Sequence, residues 1–233
     1  MDRLAGTAEL LDGPLDPQTL SANLRDLARI NRWLGGTSVS WQALAALHER
    51  TGAAGRVSLL DVGTGAADIP LGLLARAERS GLRLAITATD VRPEIVDLAR
   101  GAASGISNLT VAGGEPERIR FPDNSFDVVH CSLVMHHLEP AAARVMLGEM
   151  RRVARRAVIV NDLDRKRRWW VAAWLLTRLV TTNRYTRHDG PLSVRRSYRP
   201  NELSALAAQV GLREVSRWWA RPPYRYALSF LPR

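Results

Sequence analysis

Between residues 57 and 163 the sequence alternates short apolar runs with segments of helical periodicity, and this alternation constrains the fold more than any other feature. Five runs rich in Val, Ile and Leu occur in the order "VSLLDV", "LRLAITATD", "NLTVA", "FDVVHCS" and "RAVIVND". Helical segments such as "IPLGLLARAERS", "PEIVDLARGAAS" and "AAARVMLGEMRRVAR" separate them. Strands that alternate with helices are typical of a parallel sheet with both faces covered. We therefore expect an α/β protein.

The C-terminal end departs from this alternation. Two strand-like runs, "LREVSRWWA" and "YRYALSFLPR", are separated only by Arg221, Pro222 and Pro223. A link this short allows only an antiparallel return. The complete prediction is a Rossmann-like doubly wound sheet of seven strands, mostly parallel, with one antiparallel strand near the C-terminal edge and helices on both faces.

The helical segments outside this alternation divide the chain into four parts. The stretch "DPQTLSANLRDLARINRWLGG" predicts an amphipathic helix that ends at Gly35 and Gly36, and a second helix is expected over 41–50. The predicted parts are an N-terminal helical part (1–52), a ligand-binding core (53–163), a helical insertion (164–209) and a C-terminal hairpin (210–233).

Composition excludes several classes of protein. Lys166 is the only lysine, and the net charge of +10 comes from arginines spread along the chain, which argues against a dedicated nucleic-acid surface. Cys131 is the only cysteine, which excludes an internal disulfide framework and a cysteine-based metal site. The first residues lack the pattern of a signal peptide, and no apolar stretch approaches the roughly 20 residues that span a bilayer. We expect a cytoplasmic protein whose site holds no metal ion.

The segment "LLDVGTGAAD" marks a candidate ligand site at the end of the first strand. Gly63 and Gly65 would let a ligand approach the backbone, and the next helix begins near Ala67. Asp68 stands where a dinucleotide-binding turn has its third glycine, and its carboxylate would repel a pyrophosphate, which disfavours a dinucleotide-dependent reductase. Asp90, at the end of the second strand, is placed to accept both hydroxyls of a ribose. These residues favour a ligand with a ribose and a positive charge.

These segments resemble the class I S-adenosylmethionine-dependent methyltransferases over roughly residues 57–230. "LLDVGTGAAD" resembles the first motif of that family, and "ATDVRPEIVDLAR" resembles its ribose-binding segment. "FPDNSFDVVHCSLVMHHL" resembles the fourth-strand region of the ubiquinone and menaquinone C-methyltransferases. The resemblance implies S-adenosylmethionine as the cofactor.

The resemblance also implies roles for individual residues. Asp61 would lie near the methionine amino group, Asp90 would hold the ribose, and Val91 would flank the adenine. The full set of expected cofactor contacts is Asp61, Gly63, Thr64, Gly65, Asp90, Val91, Glu115 and Cys131. For Cys131, a small buried thiol is the alternative interpretation.

Two positions depart from the family pattern. Ala67 replaces the third glycine of the first motif, which is a small change. Pro116 follows Glu115 where the family usually has an alanine, and proline has no backbone N–H to offer an adenine ring. The adenine end of the expected site therefore rests mainly on Glu115.

Three histidines are candidate general bases for an acceptor that must lose a proton. His136 and His137 follow the fourth strand, and His188 lies in the insertion. Imidazole titrates near neutral pH and is suited to this role. His130 lies within an apolar strand and is expected to be a hydrogen-bonded core residue.

In this family the N-terminal helices and the insertion usually form a lid over the acceptor. The insertion contains "WWVAAWLL" directly after four basic residues, 165–168. A buried lid helix is the favoured interpretation, and peripheral contact with a membrane through 165–180 is the alternative. Both suit a hydrophobic or aromatic small-molecule acceptor, such as a polyketide, a phenolic lipid or a quinone precursor, methylated on oxygen or carbon.

Two other functions stay open at this point. A methyltransferase that modifies RNA or protein would need the arginines to form one face beside the cofactor. The motif of amine-directed nucleic-acid methyltransferases is missing after the fourth strand, which argues against base amines as targets. The other alternative is a catalytically inactive interaction module. The sequence leaves the oligomeric state open.

Overall fold

A seven-stranded sheet forms the centre of the protein, with the strand order β3-β2-β1-β4-β5-β7-β6. We describe it from a computed structural model, which covers residues 1–13, 16–51, 55–115 and 118–233. Strands β1 to β5 pair in parallel, and β7 pairs antiparallel with both β5 and β6. The predicted fold is therefore confirmed, including the single reversed strand near the edge.

The strands are β1 (Val57–Val62), β2 (Leu84–Asp90), β3 (Leu109–Gly113), β4 (Phe126–Ser132), β5 (Ala154–Leu163), β6 (Leu212–Trp219) and β7 (Arg225–Pro232). The α-helices of the described residues are α1 (Pro17–Trp33), α2 (Gly36–Thr51), α3 (Asp68–Ser80), α4 (Pro93–Ala102), α5 (Pro140–Val153), α6 (Arg167–Val180), α7 (Arg184–Arg196) and α8 (Pro200–Gln209). Two short 3-10 turns, Leu10–Asp12 and Met135–His137, lie beside the site described below.

The sequence explains where several helices begin. Proline occupies the first position of α1, α4, α5 and α8, where its missing N–H breaks no helical hydrogen bond. Asp16 caps α1 by accepting a hydrogen bond from the backbone N–H of Thr19 at 2.7 Å. Within the described residues, no helix combines the length and the apolar character needed to cross a bilayer.

Helix α2 begins five residues before the predicted start at Trp41. Gly35, with φ +82°, ends α1 as expected, but Gly36 already belongs to α2. A Cβ at Gly36 would lie 2.6 Å from a guanidinium nitrogen of Arg225, so this glycine serves a close approach between α2 and the start of β7.

Two hydrophobic clusters cover the two faces of the sheet. One packs β4, β5 and β7 against α5 and α8, and the other packs β1, β2 and β5 against α2 and α3. Adjacent residues alternate between the clusters, as Leu59 and Leu60 do on β1, because successive side chains of a strand point to opposite faces. Because β1 pairs in parallel with both β2 and β4, the carboxyl ends of these three strands lie together at one edge of the sheet.

Candidate active site

One cavity of about 810 Å³ opens at the carboxyl ends of β1, β2 and β4. This is the edge where doubly wound sheets bind ligands, and the volume falls in the usual range for small-molecule pockets. The turn after β1 and the end of β2 line one part of the cavity. The N-terminal segment 9–12 and helices α1, α6 and α7 line the other part.

The glycine turn after β1 adopts left-handed conformations. The φ angles of Gly63, Gly65 and Ala67 are +71°, +57° and +60°. A Cβ at Gly63 would lie 2.5 Å from Cγ2 of Val134, so only glycine fits there without a shift of its neighbour. Ala67 keeps the left-handed conformation although it is not glycine, and α3 begins at the next residue.

Asp90 connects the glycine turn with the end of β2. Its Oδ2 accepts a hydrogen bond from the backbone N–H of Gly65 at 3.0 Å, and its Oδ1 accepts one from Arg92 at 3.2 Å. Burial raises the pKa of this carboxyl, although the backbone donors act in the opposite direction. Each oxygen retains a lone pair for a ligand hydroxyl, and Asp90 lines the cavity.

A chain of hydrogen bonds between buried polar side chains positions the carboxylate of Asp61. Nδ1 of His130 lies 2.6 Å from Oδ1 of Asp61, and Nε2 of His130 lies 2.8 Å from Oγ of Ser40. Asn161 donates from Nδ2 to Ser40 Oγ at 2.6 Å, and Arg225 donates from Nε to Asn161 Oδ1 at 2.5 Å. The carboxylate favours the proton on Nδ1 of His130, which leaves Nε2 to accept the Ser40 hydroxyl.

A second branch from Arg225 reaches Asp68. Arg225 donates to Asn31 Oδ1, and Asn31 donates from Nδ2 to Asp68 Oδ2 at 2.8 Å. Burial raises the pKa of Asp68. One buried guanidinium therefore positions both carboxyl groups that flank the glycine turn, and sequence reasoning missed it. His130 is hydrogen-bonded within the core as predicted, but its partner in the site went unrecognised.

Three of the predicted site residues lie away from the cavity. Glu115 pairs with Arg120 on the surface instead of facing a ligand. Cys131 is fully buried in the cluster beneath α5, as the alternative of a buried thiol predicts, and it does not line the cavity. His188 is half exposed and pairs with Asp189 at 2.7 Å, so the structure does not bring it to the site. Pro116 lies outside the described residues.

The other predicted residues, Asp61, Gly63, Thr64, Gly65, Asp90 and Val91, line the cavity. Val91 is exposed at its rim. The hydroxyl of Thr64 is buried and has no hydrogen-bond partner among the described residues. A buried polar atom of this kind calls for a partner. Together with the glycine turn and the two carboxylates, it fits a ligand that carries a ribose and an amino group.

His136 and His137 face the cavity from the 3-10 turn after β4. Nδ1 of His136 lies 2.7 Å from Asp162 Oδ1, and Nδ1 of His137 lies 2.9 Å from Asp12 Oδ1. Burial opposes ionisation of Asp162, but the charge and hydrogen bond of His136 outweigh it and lower the pKa of that carboxyl. The Nε2 atoms of both histidines point toward Glu9, which is buried in the N-terminal segment, and burial raises the pKa of Glu9 to about 7.

Helix α6 is not the buried lid helix that the sequence favoured. Among its residues only Thr177 is buried. Ala173, Leu176 and Leu179 line the cavity, whereas Val171 and Trp174 are exposed and do not line it. Apolar residues occur on both sides of this helix, so one side covers the cavity and the other faces outward.

Comparison with known proteins agrees with this geometry. A methyltransferase domain family matches residues 59–157. A demethylmenaquinone methyltransferase of Deinococcus radiodurans is 35% identical over 106 residues, which are 44% of this chain and 41% of that protein. A ubiquinone/menaquinone biosynthesis C-methyltransferase of Rickettsia bellii is 33% identical over 73 residues, which are 30% of this chain and 29% of that protein.

The chain carries a methyltransferase domain over residues 59–157, and its seven-stranded sheet has the fold of the class I S-adenosylmethionine-dependent methyltransferases. S-adenosylmethionine is the cofactor of this class, and the prediction of a methyltransferase enzyme is confirmed at the level of the domain. The chain spans less than half of the length of the two curated relatives.

Solved structures show the same fold beyond the matched domain. An S-adenosylmethionine-dependent methyltransferase from Aquifex aeolicus superposes with a TM-score of 0.65 at 20% identity, covering 94% of this chain and all of its own (100%). Magnesium protoporphyrin IX methyltransferase from Synechocystis, solved with bound S-adenosylhomocysteine, gives a TM-score of 0.61 at 14% identity over 95% of this chain and 90% of its own. The fold of the methyltransferase domain therefore extends to α8 and the C-terminal hairpin.

Proposed function

We propose that this chain methylates a hydrophobic or aromatic small molecule on oxygen or carbon, with S-adenosylmethionine as the methyl donor. The observation that carries this proposal is that a single cavity joins two chemically different ends. One end contains the glycine turn with Asp61 and Asp90, and the other has apolar walls.

The apolar end supports a small hydrophobic acceptor. Its walls come from the N-terminal segment, α1, the turn after β4, α6 and α7, and they include the side chains of Leu11, Leu27, Leu138, Leu176 and Val194. Apolar walls with a few polar groups are typical of pockets that bind small organic ligands. An RNA or protein substrate would instead call for an open basic surface beside the cofactor end. A quinone precursor is one acceptor of the proposed kind, since the two curated relatives are named for quinone methylation.

The bound cofactor supplies a methyl group on a positively charged sulfur, so the protein's main task is alignment. Asp90 is placed to hold ribose hydroxyls, and Asp61, fixed by His130, offers a negative charge to the amino group. Val134 and Leu133, directly after β4, line the junction between the two ends of the cavity. Glu9, His136 and His137 form a polar cluster in the mainly apolar end, where a hydroxyl or acidic carbon of the acceptor can be oriented.

Calorimetric titration with S-adenosylhomocysteine tests the cofactor end. We expect Asp90→Asn to weaken binding by about 10-fold or more, because hydrogen bonds to a charged group contribute roughly 1.5–3 kcal/mol. Asp97→Asn is the matched control: Asp97 lies on α4, pairs with Arg100 and is exposed. Unchanged affinity of Asp90→Asn would refute the proposed role of Asp90. A wild-type protein that binds no S-adenosylhomocysteine would support the inactive-module alternative.

We also propose that residues 165–180 contact an anionic membrane surface. The side of α6 that faces away from the cavity would lie against the bilayer. Val171, Trp174 and Val180 are exposed on this helix and do not line the cavity. The guanidinium of Arg178 lies 4.0 Å from the ring centre of Trp174, which combines a positive charge with an aromatic surface. Apolar and basic residues together favour the interface of an anionic bilayer.

Co-sedimentation with phosphatidylglycerol vesicles measures this contact. Val171→Glu is expected to reduce the bound fraction, because it places a negative charge at an exposed apolar position of α6 that does not line the cavity. Val145→Glu is the control, since Val145 is an exposed apolar residue on α5. Equal binding of the two variants, or no binding of the wild type, would refute the membrane contact.

A further inference from the structure

We infer that Glu9, His136 and His137 form a binding site for a divalent transition-metal ion, with Zn²⁺ as the best match to the ligand set. Their candidate ligand atoms all lie within 4.8 Å of one another. Two imidazoles and one carboxylate are a common ligand set of catalytic zinc sites, which keep a further position open. All three residues line the cavity, so an open position of the ion would face it.

The distances between the ligand atoms fit an ion better than direct hydrogen bonds. Nε2 of His136 lies 3.7 Å from Oε1 of Glu9, and Nε2 of His137 lies 3.8 Å from Oε2 of Glu9. Both distances exceed hydrogen-bond length. Ligand atoms about 2.0–2.1 Å from a tetrahedral Zn²⁺ are separated by roughly 3.4 Å. The two measured distances therefore exceed the separation of zinc ligands by only a few tenths of an ångström.

The other ring nitrogens are held as they are in metal sites. Nδ1 of His136 faces Asp162, and Nδ1 of His137 faces Asp12. A histidine that binds a metal almost always donates its second ring N–H to a carboxylate, a carbonyl or water. A proton on Nδ1 leaves the lone pair of Nε2 available, and both Nε2 atoms are the ones that face Glu9.

The surrounding charges also suit a cation. Arg196 lies 3.8 Å from Oε1 of Glu9, but it donates its hydrogen bonds to Asp12 and to the carbonyl of His137. Asp12, Asp162 and Glu9 place three carboxylates in and around the two histidines. Ser193 donates to Oε1 of Glu9 at 2.9 Å and orients the carboxylate.

Binding of the ion does not depend on the proposed function, whereas its use in methyl transfer rests on it. An ion at this place would offer its open position to an oxygen of the acceptor or to water. An acceptor that binds the ion needs a hydroxyl or carbonyl oxygen near the methylated atom, so the site favours acceptors of that class. The same protein preparation is titrated with S-adenosylhomocysteine, so a failure of the metal site and a failure of the cofactor site are distinguishable.

The test is a titration of the metal-free protein with Zn²⁺ near pH 7.5, in competition with a chromophoric chelator. We expect Glu9→Gln and His137→Ala to weaken binding by more than about 100-fold. Asp12→Asn, which acts through His137, should weaken it by roughly 10–100-fold. His188→Ala should leave it unchanged, because His188 lies outside the cavity. Visible absorption of the Co²⁺-loaded wild type, with the intense bands of a tetrahedral ion, is a second measurement that requires no variant.

Two results would overturn the inference. The first is that the wild type binds Zn²⁺ no more tightly than Glu9→Gln and His137→Ala do. The three side chains would then form ion pairs only. The other is a loss of binding in His188→Ala, which would place the ion at the surface. Folding of each variant is checked by circular dichroism, and Glu9→Gln is nearly isosteric with the wild type.

Discussion

The close approach of Gly63 to Val134 allows a quantitative prediction for Gly63→Ala. The added Cβ would lie 2.5 Å from Cγ2 of Val134, and φ at this position is +71°. A left-handed conformation costs a residue with a Cβ about 1–2 kcal/mol. Overpacking a tight contact costs about 1–3 kcal/mol more. We therefore expect the free energy of unfolding to fall by about 2–5 kcal/mol.

Gly81→Ala separates the two contributions. Gly81 has nearly the same φ, +73°, but nothing lies within 4 Å of an added Cβ. This variant should lose only the conformational contribution of about 1–2 kcal/mol. In a Val134→Ala background the methyl groups that would clash are absent, so Gly63→Ala should then cost about as much as Gly81→Ala. The coupling between positions 63 and 134 measures the contact directly.

Urea unfolding followed by far-UV circular dichroism measures all four proteins and the double variant. Two outcomes would refute the reasoning. The first is an equal loss of stability in Gly63→Ala and Gly81→Ala. The second is a loss for Gly63→Ala that the Val134→Ala background leaves unchanged.

Two further predictions concern buried titratable groups. The folded-state pKa of Glu9, about 7, lies above its ordinary value of 4.5, so its contribution to stability is present below pH 4.5 and is lost as the pH rises through 7. Relative to Glu9→Gln, the wild type should lose on the order of 3 kcal/mol across this window in urea unfolding with a chelator present, and a pH-independent difference would contradict this. Burial also raises the pKa of the Cys131 thiol. A thiol reagent should therefore leave the native protein unmodified and label one thiol per chain in urea, whereas rapid labelling of the native protein would exclude the buried position.

Local patterns in the sequence were sufficient for the fold. The strands β1 and β4 coincide with the predicted runs, because apolar residues on both sides of each run indicate strands buried on both faces. The glycine turn was predictable for a similar reason, since Gly63 and Gly65 follow the strand directly and the following helix begins within a few residues.

Contacts between distant parts of the chain were not predictable in this way. Asp61 and His130 are 69 positions apart, and nothing in either segment indicates that neighbouring strands bring them together. A polar residue inside an apolar strand, as His130 is, was the available signal. Glu9 lies before the matched domain and His136 lies within it, and no periodicity connects them.

The exposure of α6 could not be predicted from its composition. An apolar helix can cover a core, a cavity or a membrane, and its own residues do not distinguish these cases. The missing information was the position of its neighbours: α7 packs beside it, while the cavity leaves the inner side without a packed layer.

Most walls of the apolar end of the cavity are encoded outside the matched domain that contains the glycine turn. The glycine turn and Asp90 lie within 59–157, whereas Glu9 and the walls from α1, α6 and α7 lie outside it. Identity between two such enzymes over the shared domain therefore carries little information about whether they use the same acceptor. Under the proposed function, grafting the N-terminal segment with α6 and α7 onto an unchanged core would exchange most of the walls that face the acceptor between two relatives.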